Sequence, residues 1–492
     1  MTGRPPARCW RRWSERERDA VTAYTWTIRQ ILEATGGTLV AGREGQAFTG
    51  VGIDSRTIAR DHLFVAIKGE THDGHRFVAG VLDQGAQGFM VAGSQLDALP
   101  LDRIKAAGAA CVAVSDTTEA LGNLARFNRH RHDLVVLAVT GSNGKTSTRR
   151  LMEQVVSGQF ATLSTQGNLN NHIGLPLTLL RLTPEHQAAV LELGMNHAGE
   201  IAHLGHICQP DVGVITNVAP AHLEGLGTID NVAAAKGELL ATIRPGGTAI
   251  LNADDSRVAA LADAFDGPVV FFGQGERARV RAHGVRPTET GLAFTLVAPS
   301  GETEVRLATP ATVMVANALA AAAAGAVLGI PLDRIKAGLE AFVPEAGRMG
   351  IRRLGRGIGL VDDTYNANPG SMTAAIETLA NLPARGRKIA VLGDMLELGP
   401  QSAALHREIG QAVGRGGIDR LYAAGSFAEA VADGAVSRQM AAERVFAGTK
   451  EAVVERLRDD LQEGDLILVK GSRGMAMETV VDAIVRWASG DN

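Results

Sequence analysis

The chain has 492 residues, 45% of them hydrophobic and 21% charged, with 58 glycines, a composition typical of a soluble, loop-rich protein with two to four domains. The 49 Lys and Arg residues against 53 Asp and Glu residues give a net charge of −4, so no nucleic-acid partner is expected. The three cysteines, Cys9, Cys111 and Cys208, are too scattered for a disulfide framework or a metal cluster, which favours a reducing cytoplasm.

The first domain is predicted over residues 25–130. Residues 1–24 carry arginines but no apolar stretch after them, so we expect a disordered or non-native extension rather than a secretory signal. A short helix ended by glycine follows in TIRQILEATGG, and TLVAG and FTGVGIDSRTI predict strands and turns. Helix and strand then alternate up to the helical segment TTEALGNLARFNRHRH, as in an α/β domain.

A central domain is predicted over residues 131–345. The segment LVVLAVTGSNGKTSTRRLMEQVV predicts a buried strand, a glycine-containing loop and a helix. Further buried strands are predicted in AAVLELG, DVGVITNV and GTAILN, with helical segments between them. This alternation predicts a doubly wound sheet.

One segment of the central domain needs a separate test for a membrane span. Residues 313–330 form a run of 18 residues without a charge, which is the shortest length that spans a bilayer. The run is mostly alanine, contains Asn317 and has no Lys or Arg cluster immediately beside it. We therefore expect a buried helix here and no integral membrane segment.

The third domain is predicted over residues 346–492, after a hinge marked by Pro344, Gly347 and Gly350. Four units of strand followed by loop are predicted in GIGLVDDTYNANPGSM, RKIAVLGDMLELG, RLYAAG and DLILVKGSRG. They predict a Rossmann-like α/β domain. The expected fold class is thus α/β with three domains, the central sheet flanked by a smaller domain on each side.

The strongest single motif is LAVTGSNGKTST at residues 137–148. A strand that leads through Gly141 and Gly144 into a helix presents backbone N–H groups and the helix dipole to phosphate, Lys145 adds a mobile positive charge, and the Thr146 hydroxyl can bind Mg²⁺. The full P-loop pattern has glycine where Val139 stands, so this is a shorter variant. The predicted ATP-binding residues of this loop are Thr140, Gly141, Ser142, Asn143, Gly144, Lys145 and Thr146.

Two residues at strand ends are candidate metal ligands. Glu192 follows the buried strand of AAVLELG and would otherwise be a solvated loop charge, but the phosphate loop upstream favours a role in binding Mg²⁺. His222 follows another buried strand, where a histidine taken alone is more often a hydrogen-bonded structural residue. Both interpretations of His222 stay open at this point.

Polar loops end several strands and suggest a ligand cleft. They are TQGNLNNHIGLP, DDTYNANPGSM and LVKGSRGM, and although any one could be a structural Asx turn, the three together favour a substrate-filled cleft. No Asn-Lys-x-Asp motif for a GTPase occurs, which leaves an ATP-dependent enzyme with a large substrate or a P-loop regulator that binds partners. The candidate substrate-binding residues in these loops are Asn168, Asn170, Asn171, Asn366, Lys470, Ser472 and Arg473.

The motifs, in their order along the chain, resemble the Mur ligase family from about Ile28 to the carboxyl terminus. The resemblance rests on TGSNGKTST, GNLNNHIGLP, LELGMNHAGEI, AHLEG, AKGE, NALAAA, DDTYNANPGSM, GDMLELG and LVKGSR. The third-domain motif is most similar to the member that adds a dipeptide, and the Asp-Asn-Pro-Arg motif of the diaminopimelate-adding member is missing. Folylpolyglutamate synthase, a near relative, shares the nucleotide motifs but resembles the third domain poorly.

The resemblance implies an ADP-forming amide ligase that uses ATP and Mg²⁺. Its substrates would be UDP-N-acetylmuramoyl-tripeptide and D-alanyl-D-alanine, joined through an acyl phosphate during peptidoglycan precursor synthesis, and hence in cell-wall biogenesis, cell shape and cell division. A cytoplasmic monomer is expected. A non-catalytic P-loop binding protein is the alternative from a different class.

The resemblance also implies roles for single residues. Lys145 would contact the β- and γ-phosphates, Thr146 and Glu192 would bind Mg²⁺, and His222 would serve a second metal. Asn317 resembles the adenine contact, although residues 311–314 read ATVM where the family often shows Gly-x-His-Asn. Arg348 and Asp363 would close the third domain onto the nucleotide. Ser55, Arg56, Asp73 and His75 resemble part of the uridine-diphosphate site, while Lys470, Ser472 and Arg473 lie where the amino substrate would be held.

Lys236 has two opposed interpretations. On sequence alone, a lysine in the alanine-rich helix NVAAAKGELL is a solvated surface charge. Its AKGE context, however, resembles the site at which the family carries a carbamylated lysine, an anionic group that would bind metal and make Lys236 catalytic. Formation of a carbamate requires the neutral amine, so that interpretation also requires surroundings that lower the pKa of Lys236.

Overall fold

The computed structural model describes residues 25–288 and 291–489, which form three α/β regions, each built on its own sheet. The predicted fold class is confirmed. The predicted extension over residues 1–24, with Cys9, lies outside the described residues.

The amino-terminal region carries a five-stranded sheet in the order β2-β7-β6-β5-β4, parallel except for the antiparallel β2–β7 pair, beside a small β1–β3 pair. The predicted helix in TIRQILEATGG is present and ends at Gly36, whose φ of 65° is left-handed. The elements are β1 (Trp26–Thr27), α1 (Ile28–Thr35), β2 (Thr38–Ala41), β3 (Ala47–Phe48), β4 (Gly50–Gly52), β5 (His62–Val65), α2 (Val78–Asp83), β6 (Gly88–Ala92), α3 (Leu101–Ala106), β7 (Ala110–Val114) and α4 (Thr117–His130).

The central region carries a nine-stranded sheet in the order β16-β15-β14-β13-β12-β11-β8-β10-β9. Its elements are β8 (Val135–Thr140), α5 (Lys145–Ser157), β9 (Thr162–Ser164), α6 (Gly174–Leu179), β10 (Ala188–Glu192), α7 (Glu200–Cys208), β11 (Val212–Ile215), α8 (Leu223–Leu226), α9 (Ile229–Thr242), β12 (Thr248–Asn252), α10 (Ser256–Ala260), β13 (Val269–Gly273), β14 (Val280–Thr288), β15 (Gly291–Ala298), β16 (Gly301–Leu307), α11 (Val313–Val327) and α12 (Leu332–Glu340).

The third region carries a six-stranded sheet in the order β17-β18-β22-β19-β20-β21, parallel except for the antiparallel β17–β18 pair. The elements are β17 (Gly350–Arg353), β18 (Gly359–Asp363), α13 (Pro369–Asn381), β19 (Lys388–Gly393), α14 (Ser402–Arg415), β20 (Arg420–Ala424), α15 (Ala428–Val436), β21 (Val445–Gly448), α16 (Lys450–Asp460), β22 (Leu466–Lys470) and α17 (Glu478–Ser489).

The central sheet is covered on both faces, which explains why its strands are apolar throughout. Along β8, Leu137 and Val139 belong to the core beneath α5 and α11, whereas Val136 and Ala138 belong to the core on the opposite face. Because alternate side chains point to opposite faces of a strand, a strand buried on both sides shows no polar alternation. The three-stranded antiparallel extension β14–β16 was not predicted from the sequence.

The alanine-rich segment is the buried helix α11, as predicted. Every residue from Ala318 to Ala324 is buried in the central core, where α11 packs against α5. Small side chains allow this close approach of two helices. Within the described part of the chain, no helix is long and apolar enough to cross a membrane.

Replacing Gly338 by alanine should destabilise the central region by about 1–3 kcal/mol, because a Cβ there would lie 2.6 Å from the Cα of Val155 and 2.9 Å from the carbonyl oxygen of Gln154. These are backbone atoms of α5, so α5 and α12, the helix that contains Gly338, must move apart. Gly80, in helix α2, is the matched control since a Cβ there meets nothing within 4 Å. Its alanine variant should be neutral or more stable, as helix propensity predicts. Denaturant unfolding measures both changes, and equal stability of the two variants would contradict the packing argument.

Candidate active site

A cleft of about 1210 Å³ lies where the carboxyl ends of the central strands face the third sheet. Its volume exceeds that of a typical pocket for one small ligand, so it has room for more than one substrate. Most predicted site residues line it: Ser142, Asn143, Gly144, Lys145, Thr146, Asn168, Asn170, Asn171, Glu192, His222, Asn317, Arg348, Asp363, Asn366, Lys470, Ser472 and Arg473.

The phosphate loop joins β8 to α5, in the predicted strand, loop and helix order. Gly144 precedes the helix with a φ of 78°, and a Cβ there would lie 2.4 Å from the Oδ1 atom of Asn317. Glycine therefore allows both the left-handed turn and the approach of Asn317 to the loop. The loop ends at the amino terminus of a 13-residue helix, where partial positive charge favours an anion.

The Lys145 side chain is folded over this loop. Its Nζ atom donates to the carbonyl oxygen of Gly141 at 2.8 Å and to that of Ser142 at 3.4 Å. Burial lowers the pKa of Lys145, with a smaller opposing contribution from the Glu192 carboxylate. A bound phosphate would offer this amine a stronger, charged partner than two carbonyls.

The predicted Mg²⁺ ligands fit a cation. Glu192 is buried, and its Oε1 atom accepts from the Nδ2 atom of Asn170 at 2.8 Å. Its Oε2 atom has no hydrogen-bond partner among the residues that the structure describes, so Glu192 is not a solvated loop charge. A buried carboxylate oxygen without a donor is suited to a metal ion, and the Thr146 side chain lines the same cleft. Among the described residues, no three His, Cys, Asp or Glu side chains form a ready metal cluster. Phosphate oxygens and water would therefore complete the coordination of Mg²⁺.

His222 faces the third sheet from the end of β11. Its backbone is left-handed, with a φ of 56°, and its Nδ1 atom lies 3.1 Å from the Oε2 atom of Glu397. Burial, followed by the charges of Lys145 and Lys236, lowers the pKa of His222. The imidazole is therefore neutral near pH 7, which is the form that binds metals. The hydrogen bond agrees with the structural interpretation, while the position in the cleft keeps the metal interpretation open.

Of the two interpretations of Lys236, the structure contradicts the solvated surface charge. Lys236 is only 1% exposed, because it lies on the face of α9 that packs into the central core beside Val232 and Leu239. Burial, followed by the charge of Lys145, places the pKa of Lys236 well below its ordinary value. The signal that could have indicated burial was the apolar spacing at Val232, Lys236 and Leu239, which is helical.

Asparagines of the loop after β9 have different partners. Asn170 holds Glu192, as described above, whereas the Oδ1 atom of Asn171 accepts from the backbone N–H of Gly174 at 2.8 Å in a structural turn just before α6. The structural interpretation therefore describes Asn171. Asn168 also lines the cleft.

On the nucleotide side, Asn317 follows the ATVM segment. Its Nδ2 atom lies 3.3 Å from the Sδ atom of Met314, and both Val313 and Met314 line the cleft. An apolar wall therefore replaces the more polar family motif at this point.

The third region contributes cations and a carboxylate. Lys470, at the end of β22, is buried and its Nζ atom pairs with Asp363 at 2.5 Å and donates to the carbonyl oxygen of Asn366 at 2.9 Å. The guanidinium of Arg348 stacks 3.9 Å above the ring of Tyr365. The Oγ atom of Ser472 accepts a hydrogen bond from the backbone N–H of Leu396 at 2.9 Å. The side chain of Arg473 is largely exposed.

Contacts across the cleft were missed from the sequence. The Nδ2 atom of Asn368 donates to the Oδ1 atom of Asn143 in the phosphate loop at 2.7 Å, and Glu397 reaches His222. Glu345, in the predicted hinge, lies 3.3 Å from Arg150 and 3.4 Å from Arg149 on α5. No local pattern pairs residues that are so distant in sequence.

The predicted uridine-diphosphate residues lie elsewhere, on the amino-terminal sheet, and they do not line this cleft. His75 is buried, with its Nδ1 atom 2.6 Å from Asp73 and its Nε2 atom accepting the backbone N–H of Ala92 at 2.9 Å. Both ring nitrogens are thus engaged by the protein. Arg56 pairs with Asp54, and Ser55 adjoins it in the same turn.

Two predicted ATP-binding residues and Lys236 also lie beneath the cleft surface rather than on it. The Thr140 hydroxyl donates to the carbonyl oxygen of Leu193 at 2.9 Å. Gly141, with a φ of 152°, leaves no room for a side chain, since a Cβ would lie 1.9 Å from the Oγ1 atom of Thr216. These two residues shape the loop instead of facing the ligand.

Three family models match the chain. They are described as Mur ligase family, catalytic domain (residues 47–129), Mur ligase middle domain (residues 139–325) and Mur ligase, glutamate ligase domain (residues 347–473). The UDP-N-acetylmuramoyl-tripeptide--D-alanyl-D-alanine ligase of Escherichia coli (strain K12) is 39% identical over 464 residues, which cover 93% of this chain and 98% of that protein.

Solved structures agree with the family models. The structure of MurF from Acinetobacter baumannii superposes with a TM-score of 0.86 at 34% identity, covering 95% of this chain and all of that one (100%). MurF ligase from Thermotoga maritima in complex with ADP superposes with a TM-score of 0.80 at 27% identity, covering 90% of this chain and 98% of that one. The chain belongs to the Mur ligase family.

Proposed function

We propose that the chain is an ATP-dependent ligase that joins D-alanyl-D-alanine to the tripeptide carboxylate of UDP-N-acetylmuramoyl-tripeptide, releasing ADP and phosphate in peptidoglycan precursor synthesis. The observation that carries this proposal is one cleft lined by a phosphate loop on one side and by the Lys470–Asp363 pair on the other. The names of the full-length relatives supply the substrates.

The proposed reaction has two steps. The tripeptide carboxylate attacks the γ-phosphorus of ATP, so that ADP leaves and an acyl phosphate forms. The amine of D-alanyl-D-alanine then attacks the acyl carbon, loses a proton, and phosphate leaves from the tetrahedral intermediate. Because several anions must meet, cations and positioning supply the catalysis rather than a nucleophilic side chain.

Side chains of the cleft have distinct tasks in this proposal. Lys145 leaves the loop carbonyls and binds the β- and γ-phosphates, while Asn317 and the apolar wall beside it hold the adenine. Thr146 and Glu192 would hold Mg²⁺ and His222 would serve a second metal, and these cations when bound neutralise the phosphate oxygens. Arg348 and Asp363 act from the third region on the nucleotide.

Peptide-substrate binding is assigned to the third region and to the asparagine loop. Lys470, Ser472, Arg473 and Asn366 would hold the dipeptide, with Asn168 and Asn170 near the reacting carboxylate. The uridine-diphosphate end would reach the amino-terminal region, where Arg56 is exposed and Ser55 is half-buried. In the same region, Asp73 and His75 would stabilise the short helical turn that they begin rather than contact the ligand, because their side chains bind each other.

Lys236 is proposed to be carbamylated. Burial lowers its pKa, which supplies the neutral amine that carbon dioxide needs. The resulting carbamate would place an anion near the Lys145 amine and near His222, the proposed metal ligand.

The functional unit is proposed to be a cytoplasmic monomer with domains at residues 25–130, 131–345 and 346–492. Each sheet lies within one of these ranges, and the two described cysteines, Cys111 and Cys208, are buried free thiols.

Phosphate release from ATP tests this function. With purified protein and Mg²⁺, release should require both UDP-N-acetylmuramoyl-tripeptide and D-alanyl-D-alanine. Release that occurs equally without the dipeptide, or with a folate and glutamate instead, would contradict it. ATP binding without turnover under every condition would favour a P-loop binding protein.

Substrates should make the molecule more compact. Arg348 and Asp363 can act only near an ATP bound to the central region, and an acyl phosphate must be kept from water, so the third region should swing about residues 344–350. Small-angle scattering should show a smaller radius of gyration with a non-hydrolysable ATP analogue plus the UDP-tripeptide than with either alone. A radius that stays constant would argue against closure.

A further inference from the structure

Glu397 and His222 meet across the cleft in an unusual way, since both have left-handed backbones, with φ values of 63° and 56°. Neither is glycine, and such conformations persist in side-chain-bearing residues only where the surrounding structure enforces them, most often at functional sites. Their side chains meet at 3.1 Å, and the backbone N–H of Glu224 lies 3.4 Å from the carbonyl oxygen of Glu397. Both strained residues thus belong to one contact between the central and third sheets.

The segment that presents Glu397 is firmly anchored in the third region. The Asp394 carboxylate accepts the backbone N–H groups of Ser426 at 2.7 Å and Phe427 at 3.1 Å. The backbone N–H of Met395 donates to the Nε2 atom of the buried His406 at 2.9 Å. The backbone N–H of Leu396 donates to the Oγ atom of Ser472, so each of the three residues before Glu397 is held by a hydrogen bond. Glu397 must therefore move together with the third sheet.

The partner atoms decide which nitrogen of His222 is free. A carboxylate can only accept, so the Nδ1 atom of His222 carries the proton and the Nε2 atom presents its lone pair. A metal-binding histidine typically donates its other ring nitrogen to a carboxylate, which fixes the ring and raises its basicity. Glu397 supplies that carboxylate from a different region of the chain.

We propose that Glu397 is a positioning residue that holds His222 for metal binding and so links the metal site to the approach of the third sheet. This inference rests on the proposed metal-assisted function. Glu397 lies at the cleft with 59% of its side chain exposed, yet its carboxylate is directed at the imidazole. Withdrawal of the third sheet would release His222 and weaken the metal site.

Mn²⁺ binding tests the proposal, measured by electron paramagnetic resonance with a non-hydrolysable ATP analogue and without peptide substrates. Glu397→Ala should weaken Mn²⁺ binding roughly 10- to 100-fold, as loss of an outer carboxylate typically does. Glu397→Gln keeps an acceptor for the Nδ1–H group and should lose about threefold or less. In turnover assays, high Mg²⁺ should restore most of the rate of the alanine variant. Glu455→Ala, an exposed change on α16, should leave Mn²⁺ binding unchanged.

Three results would overturn the proposal. The first is an Mn²⁺ affinity in Glu397→Ala that equals that of the wild type. A raised KM for the dipeptide in the same variant would then assign Glu397 to binding of the incoming amine. The second is an equal loss in the Gln and Ala variants, because the hydrogen bond would then not be the operative contact. The third is an altered affinity in Glu455→Ala. Mn²⁺ binding is measured without peptide substrates. If the wild-type protein failed to join D-alanyl-D-alanine to the UDP-tripeptide, that result would therefore refute the proposed function separately.

Discussion

Lys145→Ala should lower turnover roughly a thousandfold while the protein stays folded, because loss of one phosphate-binding cation costs several kcal/mol of transition-state stabilisation. This amine donates to loop carbonyls at 2.8 and 3.4 Å, and within the described part of the chain it forms no ion pair on which the fold depends. Phosphate release at saturating substrates measures the effect, and thermal unfolding verifies the fold.

Lys105→Ala is the matched control for Lys145→Ala, since it removes an exposed lysine from α3 in the amino-terminal region. Its turnover should equal that of the wild type. If Lys145→Ala retained near-normal turnover, the assignment of the loop to ATP would have to be abandoned.

Local patterns were sufficient to predict much of the fold and one half of the site. The order of apolar strand, glycine loop and helix at residues 135–157 follows from short-range geometry, and the structure has it at β8 and α5. Polar loops at the carboxyl ends of parallel strands were expected to converge, because such strands end at one edge of a sheet. Glu192, Asn366 and Lys470 accordingly line one cleft.

What the sequence could not predict depends on pairing between distant segments. The Asn143–Asn368 and His222–Glu397 contacts join residues 225 and 175 positions apart, and nothing local specifies them. The antiparallel strands β14–β16 extend the sheet in a segment for which no strands were predicted. For Lys236, residue type alone favoured exposure, since lysine is usually exposed, whereas the carbamate interpretation required the lowered pKa that burial on its helix provides.

Lys236→Ala should be nearly inactive, and a small added carboxylate should restore part of its turnover. The amine is buried and burial places its pKa well below the ordinary value, which favours the neutral form that carbon dioxide attacks. The carbamate would place an oxygen anion on a long stem within reach of Mg²⁺. Truncation to alanine removes the anion but leaves space that a small carboxylate can fill.

Lys236→Arg separates the carbamate from a simple requirement for positive charge. Arginine keeps a cation but stays protonated and so cannot form a carbamate, and its turnover should be as low as that of the alanine variant, without rescue. Nuclear magnetic resonance with carbon-13-labelled bicarbonate should show a carbamate signal in the wild type that both variants lack. A fully active alanine variant would mean that turnover does not need the Lys236 side chain, and an arginine variant as active as the wild type would mean that a buried cation is sufficient.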